Sequence, residues 1–133
     1  MRLSNMADYA VVVMSAASRH CGSARVSATD LAAETGLALP TTQKLVSILT
    51  KAGLLRSARG TGGGIQLARP AAAISLADII EAVEGPIALT SCVDTGSHNC
   101  AMEGNCRVQP HWALVNKTVR GALAEINLAG LVR

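Results

Sequence analysis

The chain has 133 residues, half of them hydrophobic, but one Trp (Trp112), one Tyr (Tyr9) and no Phe, so it can bury one real core, built of Leu, Val, Ile and Ala. No apolar run reaches the length of a membrane span, and MRLSNMADYAVVVM lacks the cationic-then-apolar order of a secretory leader, which predicts a cytoplasmic chain with no membrane partner. The net charge of +3 is uneven: residues 1–70 carry eight Lys/Arg against three Asp/Glu, and residues 71–133 carry four against six, so the basic first part suits a polyanion such as DNA.

Leu3, Met6, Ala10, Val13 and Ala17 recur every three or four residues and predict a first helix. Ser27 followed three residues later by Asp30 reads as the capped start of a short second helix that stops near Gly36. Pro40 opens a third, at a first-turn position where its missing N–H does no harm. In that helix Leu45, Ile48, Leu49 and Ala52 are expected to face inward, leaving Thr41, Thr42, Gln43, Lys44 and Ser47 outside. Two short helices joined by a glycine-containing turn make a helix-turn-helix, whose second helix normally enters the DNA major groove. A plain helical hairpin with a polar solvent face is the competing reading.

The next segment favours the first. Residues 54–58 and 65–68 read as strands around Arg59-Gly60-Thr61-Gly62-Gly63-Gly64, and a hairpin directly after a recognition helix is a wing. Its glycines permit close approach to a phosphate backbone, and Arg59 can reach the minor groove. A nucleotide phosphate loop is rejected, because Gly64 is followed by Ile65 rather than by Lys-Ser/Thr.

Ser75 and Asp78 start another helix, with Leu76, Ile79, Ile80 and Val83 apolar and Gly85-Pro86 as its stop. The run CVDTGSHNCAMEGNC then places Cys92, Cys100 and Cys106 in a stretch with no helical or strand period. In a reducing cytosol, clustered thiols point to metal binding or redox sensing rather than to a structural disulfide. Gaps of seven and five residues are too open for a typical zinc finger, and a thiol–disulfide switch needs only two of the three. Cys21 lies far away in sequence and reads as a structural thiol. Pro110 opens a long helix with a coiled-coil-like seam of Trp112, Val115, Val119, Ala122 and Ile126, predicted to pair two chains. No nucleophile–base pair or paired-carboxylate constellation stands out, so an enzyme is not expected. The fold expected is mainly α with a small β-hairpin wing. A winged helix-turn-helix domain covers residues 1–85, a cysteine-rich loop residues 86–109, and a dimerisation helix with its tail residues 110–133.

The start MRLSNMADYAV, the segment LVSILTKAGLLRSARGTGGGIQLARP, the run ISLADIIEAVEGP and the cysteines leading into HWALVNKTV resemble, in that order, the Rrf2 family of winged-helix regulators. Within it, EGPIALTSC and the C-x7-C-x5-C spacing look most like regulators of the SUF iron–sulfur assembly system, and are similar also to the rhizobial iron regulator. The resemblance implies a homodimer that reads two-fold double-stranded DNA and carries an iron–sulfur cluster (2Fe-2S or 4Fe-4S). It implies a repressor of iron–sulfur assembly or iron-homeostasis genes that senses cluster, iron or redox status. A cluster-free thiol, zinc or small-ligand sensor of the same fold is the alternative. By the same resemblance Cys92, Cys100 and Cys106 are cluster ligands, and Asp8 of the opposite subunit is the fourth, ahead of His111 and His98. The isc-operon regulator shares this architecture; where that isc-type relative has a ligating histidine, this chain has Gln109. Thr41, Thr42, Gln43 and Lys44 are the implied major-groove contacts, and Arg59 and Gly60 the wing contacts. Gln43 stands where the isc-type relative has a glutamate, and an amide prefers adenine where a carboxylate prefers cytosine.

Overall fold

Local sequence signals set most helix ends. In the computed structural model, which describes residues 2–20, 26–58, 64–90 and 109–132, α1 (Asn5–Arg19) starts at Ser4, whose Oγ accepts from the Ala7 N–H at 3.1 Å. Asp8 sits in that first turn, where the helix dipole favours a carboxylate. Ala7, Ala10, Val13, Met14 and Ala17 form the buried stripe. Leu3, expected to begin it, precedes the helix and is half exposed.

The second helix, α2 (Ala28–Thr35), carries the reciprocal cap that Ser27 and Asp30 predict. Asp30 N–H donates to Ser27 Oγ (3.1 Å), and Ser27 N–H donates to Asp30 Oδ2 (2.9 Å). Such caps contribute about 1 kcal/mol each. Gly36 ends the helix at φ 78°, a left-handed conformation that a side chain resists. Glu34 near that end pairs with Arg19 (3.0 Å) and His20 (2.6 Å), tying α2 to the end of α1.

Leu37 then tucks against the core and Pro40 takes the second position of α3 (Leu39–Lys51). Leu45 and Leu49 are fully buried, as expected. Ala52 is not: it caps the helix one residue beyond its last turn and is exposed. Gly53, at φ 80°, and a bond from Leu54 N–H to Leu49 C=O (3.0 Å) swing the chain into the hairpin.

Strands β1 (Leu55–Ala58) and β2 (Gly64–Leu67) pair antiparallel, with Leu55 opposite Leu67 and Ser57 opposite Ile65. Leu55, Leu67 and Ile65 face the core. Arg56 and Gln66 face outward and bond to one another at 3.1 Å. Ile65 N–H also donates to Val26 C=O (2.7 Å), so the hairpin is stitched to the segment preceding α2.

After a 3-10 turn (Ala71–Ala73), α4 (Leu76–Glu84) repeats the Ser–Asp cap through Ser75 and Asp78 and stops at Gly85. Helix α5 (Gln109–Glu125) follows. A short helix that the sequence pattern does not predict, α6 (Leu128–Leu131), closes the described chain. Its Leu128 is fully buried, and its N–H donates to Ile74 C=O (2.8 Å), while Leu76 N–H donates to Ile126 C=O (2.7 Å). The core sits around α1, against which α2, α3, β2, α4 and α6 pack. Among the described residues no helix is long and apolar enough to cross a membrane.

Candidate nucleic-acid interface

Of the five residues expected on the outer face of the recognition helix, Gln43, Lys44 and Ser47 are exposed and Thr41 is half-buried. Thr42 is a correction: it is 0% exposed and belongs to the core with Leu45 and Leu49. Its Oγ1 donates to the Ala38 carbonyl one turn back (3.1 Å). That bond satisfies the hydroxyl locally, so the side chain can be buried at little cost. Thr42→Val should therefore leave operator sequence preference unchanged and act only on stability, by about 1 kcal/mol; selection of bound sites from random duplex DNA with both proteins checks it.

The hairpin, which packs against α3, leaves Arg56 on the outer surface. Arg59 and Gly60, the wing residues of the sequence reading, lie outside the described residues, as do Cys21, Cys92, His98, Cys100 and Cys106. Among the described residues no three His, Cys, Asp or Glu side chains come together as a metal site. Asp8 is exposed on the first turn of α1, and His111 is exposed on the first turn of α5.

The segment that leads to Cys92 is held by side chains that sequence reasoning passed over. Asn116 of α5 donates from Nδ2 to Ile87 C=O (2.9 Å) and accepts at Oδ1 from Leu89 N–H (2.8 Å). Glu81 of α4 accepts from Ile87 N–H (2.9 Å) and receives both Nε and Nη2 of Arg120, at 3.2 and 2.8 Å. The Arg120 guanidinium holds the Glu81 carboxyl below its ordinary range, outweighing the opposing effect of partial burial. Three residues farther along α4, Glu84 Oε1 accepts the Ser4 N–H (2.9 Å) at the cap of α1. The base of the cysteine segment is thus fixed to α5 and α4, and α4 to the start of α1. A signal was present for Asn116: it is a polar residue in register with Val119 and Leu123, on the side of α5 turned toward its own domain.

That side also revises the seam. Val119 and Leu123 line a cavity of about 410 Å³ with Ile80, Ile87 and Leu3, so Val119 belongs partly to intrachain packing. Ile126 lies one residue past the end of α5. Trp112, Leu114 and Val115 remain open to solvent, at 37%, 64% and 41% exposure.

A family model described as iron-dependent transcriptional regulator, Rrf2, matches residues 3–133. The chain is 32% identical over 133 residues to the HTH-type transcriptional regulator IscR of Xenorhabdus nematophila, covering 100% of this chain and 80% of that protein. Among solved structures, it superposes on CymR, the global cysteine regulator of B. subtilis, with a TM-score of 0.80 at 26% identity, covering 99% of this chain and 96% of that one. It superposes on T. potens IscR with a TM-score of 0.75 at 30% identity, covering 99% and 86%. A capped two-helix unit followed by a hairpin, and a match over nearly the whole length, lead to one assignment: the chain belongs to the Rrf2 family, as a DNA-binding transcriptional regulator of winged helix-turn-helix fold and not an enzyme.

Proposed function

We propose that this regulator is controlled by an iron–sulfur cluster held by Cys92, Cys100 and Cys106, and that it represses iron–sulfur assembly or iron-homeostasis genes. The observation that carries the reading is three cysteines in one segment whose base is bonded to α4 and α5 through Glu81 and Asn116. A tether so placed can act on the DNA-binding domain. The relatives named IscR support it. The donor set fits: cysteine thiolates are the ligands such clusters use, and Asp8, an exposed carboxylate on α1, is the proposed fourth ligand, given to the opposite subunit. A bound cluster supplies an iron- and redox-responsive crosslink among those side chains. The chain's own part is to present the donors, to anchor the segment and to read DNA with α3 and the wing.

Protein purified without oxygen is expected to be coloured and to contain iron and acid-labile sulfide. Each of Cys92→Ala, Cys100→Ala and Cys106→Ala should lose most of both, and Cys21→Ala should keep them. Colourless, iron-free protein from iron-replete anaerobic cells would exclude the cluster. It would favour the second reading, a cluster-free thiol, zinc or small-ligand sensor, which the likeness to CymR, the global cysteine regulator, supports.

Dimerisation through α5 belongs to the same proposal. The exposed Trp112 and Val115, three residues apart on one face of α5, form an apolar strip that a second copy would cover. Val115→Glu should shift the protein to monomer in sedimentation, because each buried aliphatic side chain is worth about 1.5–3 kcal/mol and an unpaired buried charge costs more. An intact dimer would remove this strip from the interface.

A further inference from the structure

We propose that Leu39 is a specificity-determining residue that packs on the 5-methyl group of a thymine, one or two base pairs from the base read by Gln43. The inference rests on α3 being the major-groove helix. Leu39 is the first residue of α3 and is 37% exposed. Leu37, two residues earlier, packs against the core. Leu39 thus presents an open aliphatic surface at the tip of a helix whose exposed residues Gln43, Lys44 and Ser47 are polar or charged.

Position i and position i+4 share a helix face, and their Cβ atoms lie roughly 5–6 Å apart. Leu39 and Gln43 stand in that relation, and both are exposed. Successive bases on one strand are about 3.4 Å apart along the axis. The two side chains therefore span one to two base-pair steps. An amide such as Gln43 pairs bidentately with adenine N6 and N7. Beside it, the thymine methyl is the apolar feature of the major-groove edge, and it suits a leucine better than any hydrogen-bonding group does. Contact would also remove from water a side chain that the fold leaves exposed.

The experiment uses the full chain and a duplex selected with it from a random-sequence pool. Each thymine of the selected site is replaced in turn by deoxyuridine, which lacks only the methyl. Wild type and Leu39→Ala are then compared at one salt concentration. At one thymine near the Gln43 base, the exchange should weaken wild-type binding roughly three- to fivefold, the worth of one buried methyl. Leu39→Ala should bind the thymine duplex weaker by at least that factor and be indifferent to uracil there. Uracil costing Leu39→Ala as much as wild type at every position overturns the proposal. So does the absence of thymine within two pairs of the base whose preference changes in Gln43→Glu. If Gln43→Ala and Lys44→Ala bind like wild type, α3 is not the reading helix, and that separate result overturns the underlying reading along with Leu39's role.

Discussion

Operator affinity should differ by roughly 5–150-fold between cluster-loaded wild type and the triple variant lacking the thiols of Cys92, Cys100 and Cys106, the usual range for coupling between two sites. The path for that coupling is a chain of hydrogen bonds. Residues 87–89 are clamped by Asn116 and Glu81, Arg120 braces Glu81, and Glu84 reaches the cap of α1 at Ser4. Helix α4 also packs directly on α1 and α3. On the proposed reading, a change in what the cysteines hold would be passed to the recognition helix through α5 and α4. Asn116→Ala should shrink the ratio between the two forms while leaving the iron content of the loaded protein in place. Measurements must share one salt concentration, because phosphate contacts make affinity steeply salt-dependent. Equal affinity of loaded and thiol-free protein would remove the cysteines from control of DNA binding.

Leu128→Ala should destabilise the fold by about 2–5 kcal/mol, the range for emptying a fully buried leucine site. The residue belongs to the short helix that closes the described chain. Yet it fills the space between the 3-10 turn and α1, and its backbone bond to Ile74 depends on its staying there. Leu131→Ala, at an exposed position of the same short helix, should change stability by no more than about 0.5 kcal/mol. Urea unfolding of the three proteins tests the contrast. A loss below about 1 kcal/mol for Leu128→Ala would mean that α6 is an ornament on the core, not part of it.

What the sequence made legible was local chemistry. The two Ser–Asp caps, the stops at Gly36 and Gly85 and the start at Pro40 each depend on residues within four positions, and all five stand where the pattern puts them. The hairpin was legible for the same reason. What escaped depends on distant partners. Helix α6 has four residues, too few for a period, and exists because Asn127 meets Ser75. Thr42 was placed outside because a hydroxyl was counted as polar, although its bond to Ala38 leaves the side chain free to be buried. Asn116 carries no local cue to its partners, and its two bonds are apparent only once residues 87–89 lie beside it. The wing arginine and the cysteines lie outside the described residues.

The pairing of Ser75 with Asn127 has a topological consequence. It brings both ends of a stretch of about 50 residues to one point, so that α4, the cysteine segment and α5 form a closed ring on the winged domain. Closing a ring of that size costs entropy that grows only as (3/2)RT ln n, near 3.5 kcal/mol for roughly 50 residues before the constant part. Contacts this far apart in sequence also slow folding relative to the local helix pairs. The ring should therefore shut last, after α1, α2, α3 and the hairpin have assembled. Until it shuts, α5 belongs to an open chain while α1, α2, α3 and the hairpin already form a nearly finished domain, so the order of assembly completes the helix-turn-helix first.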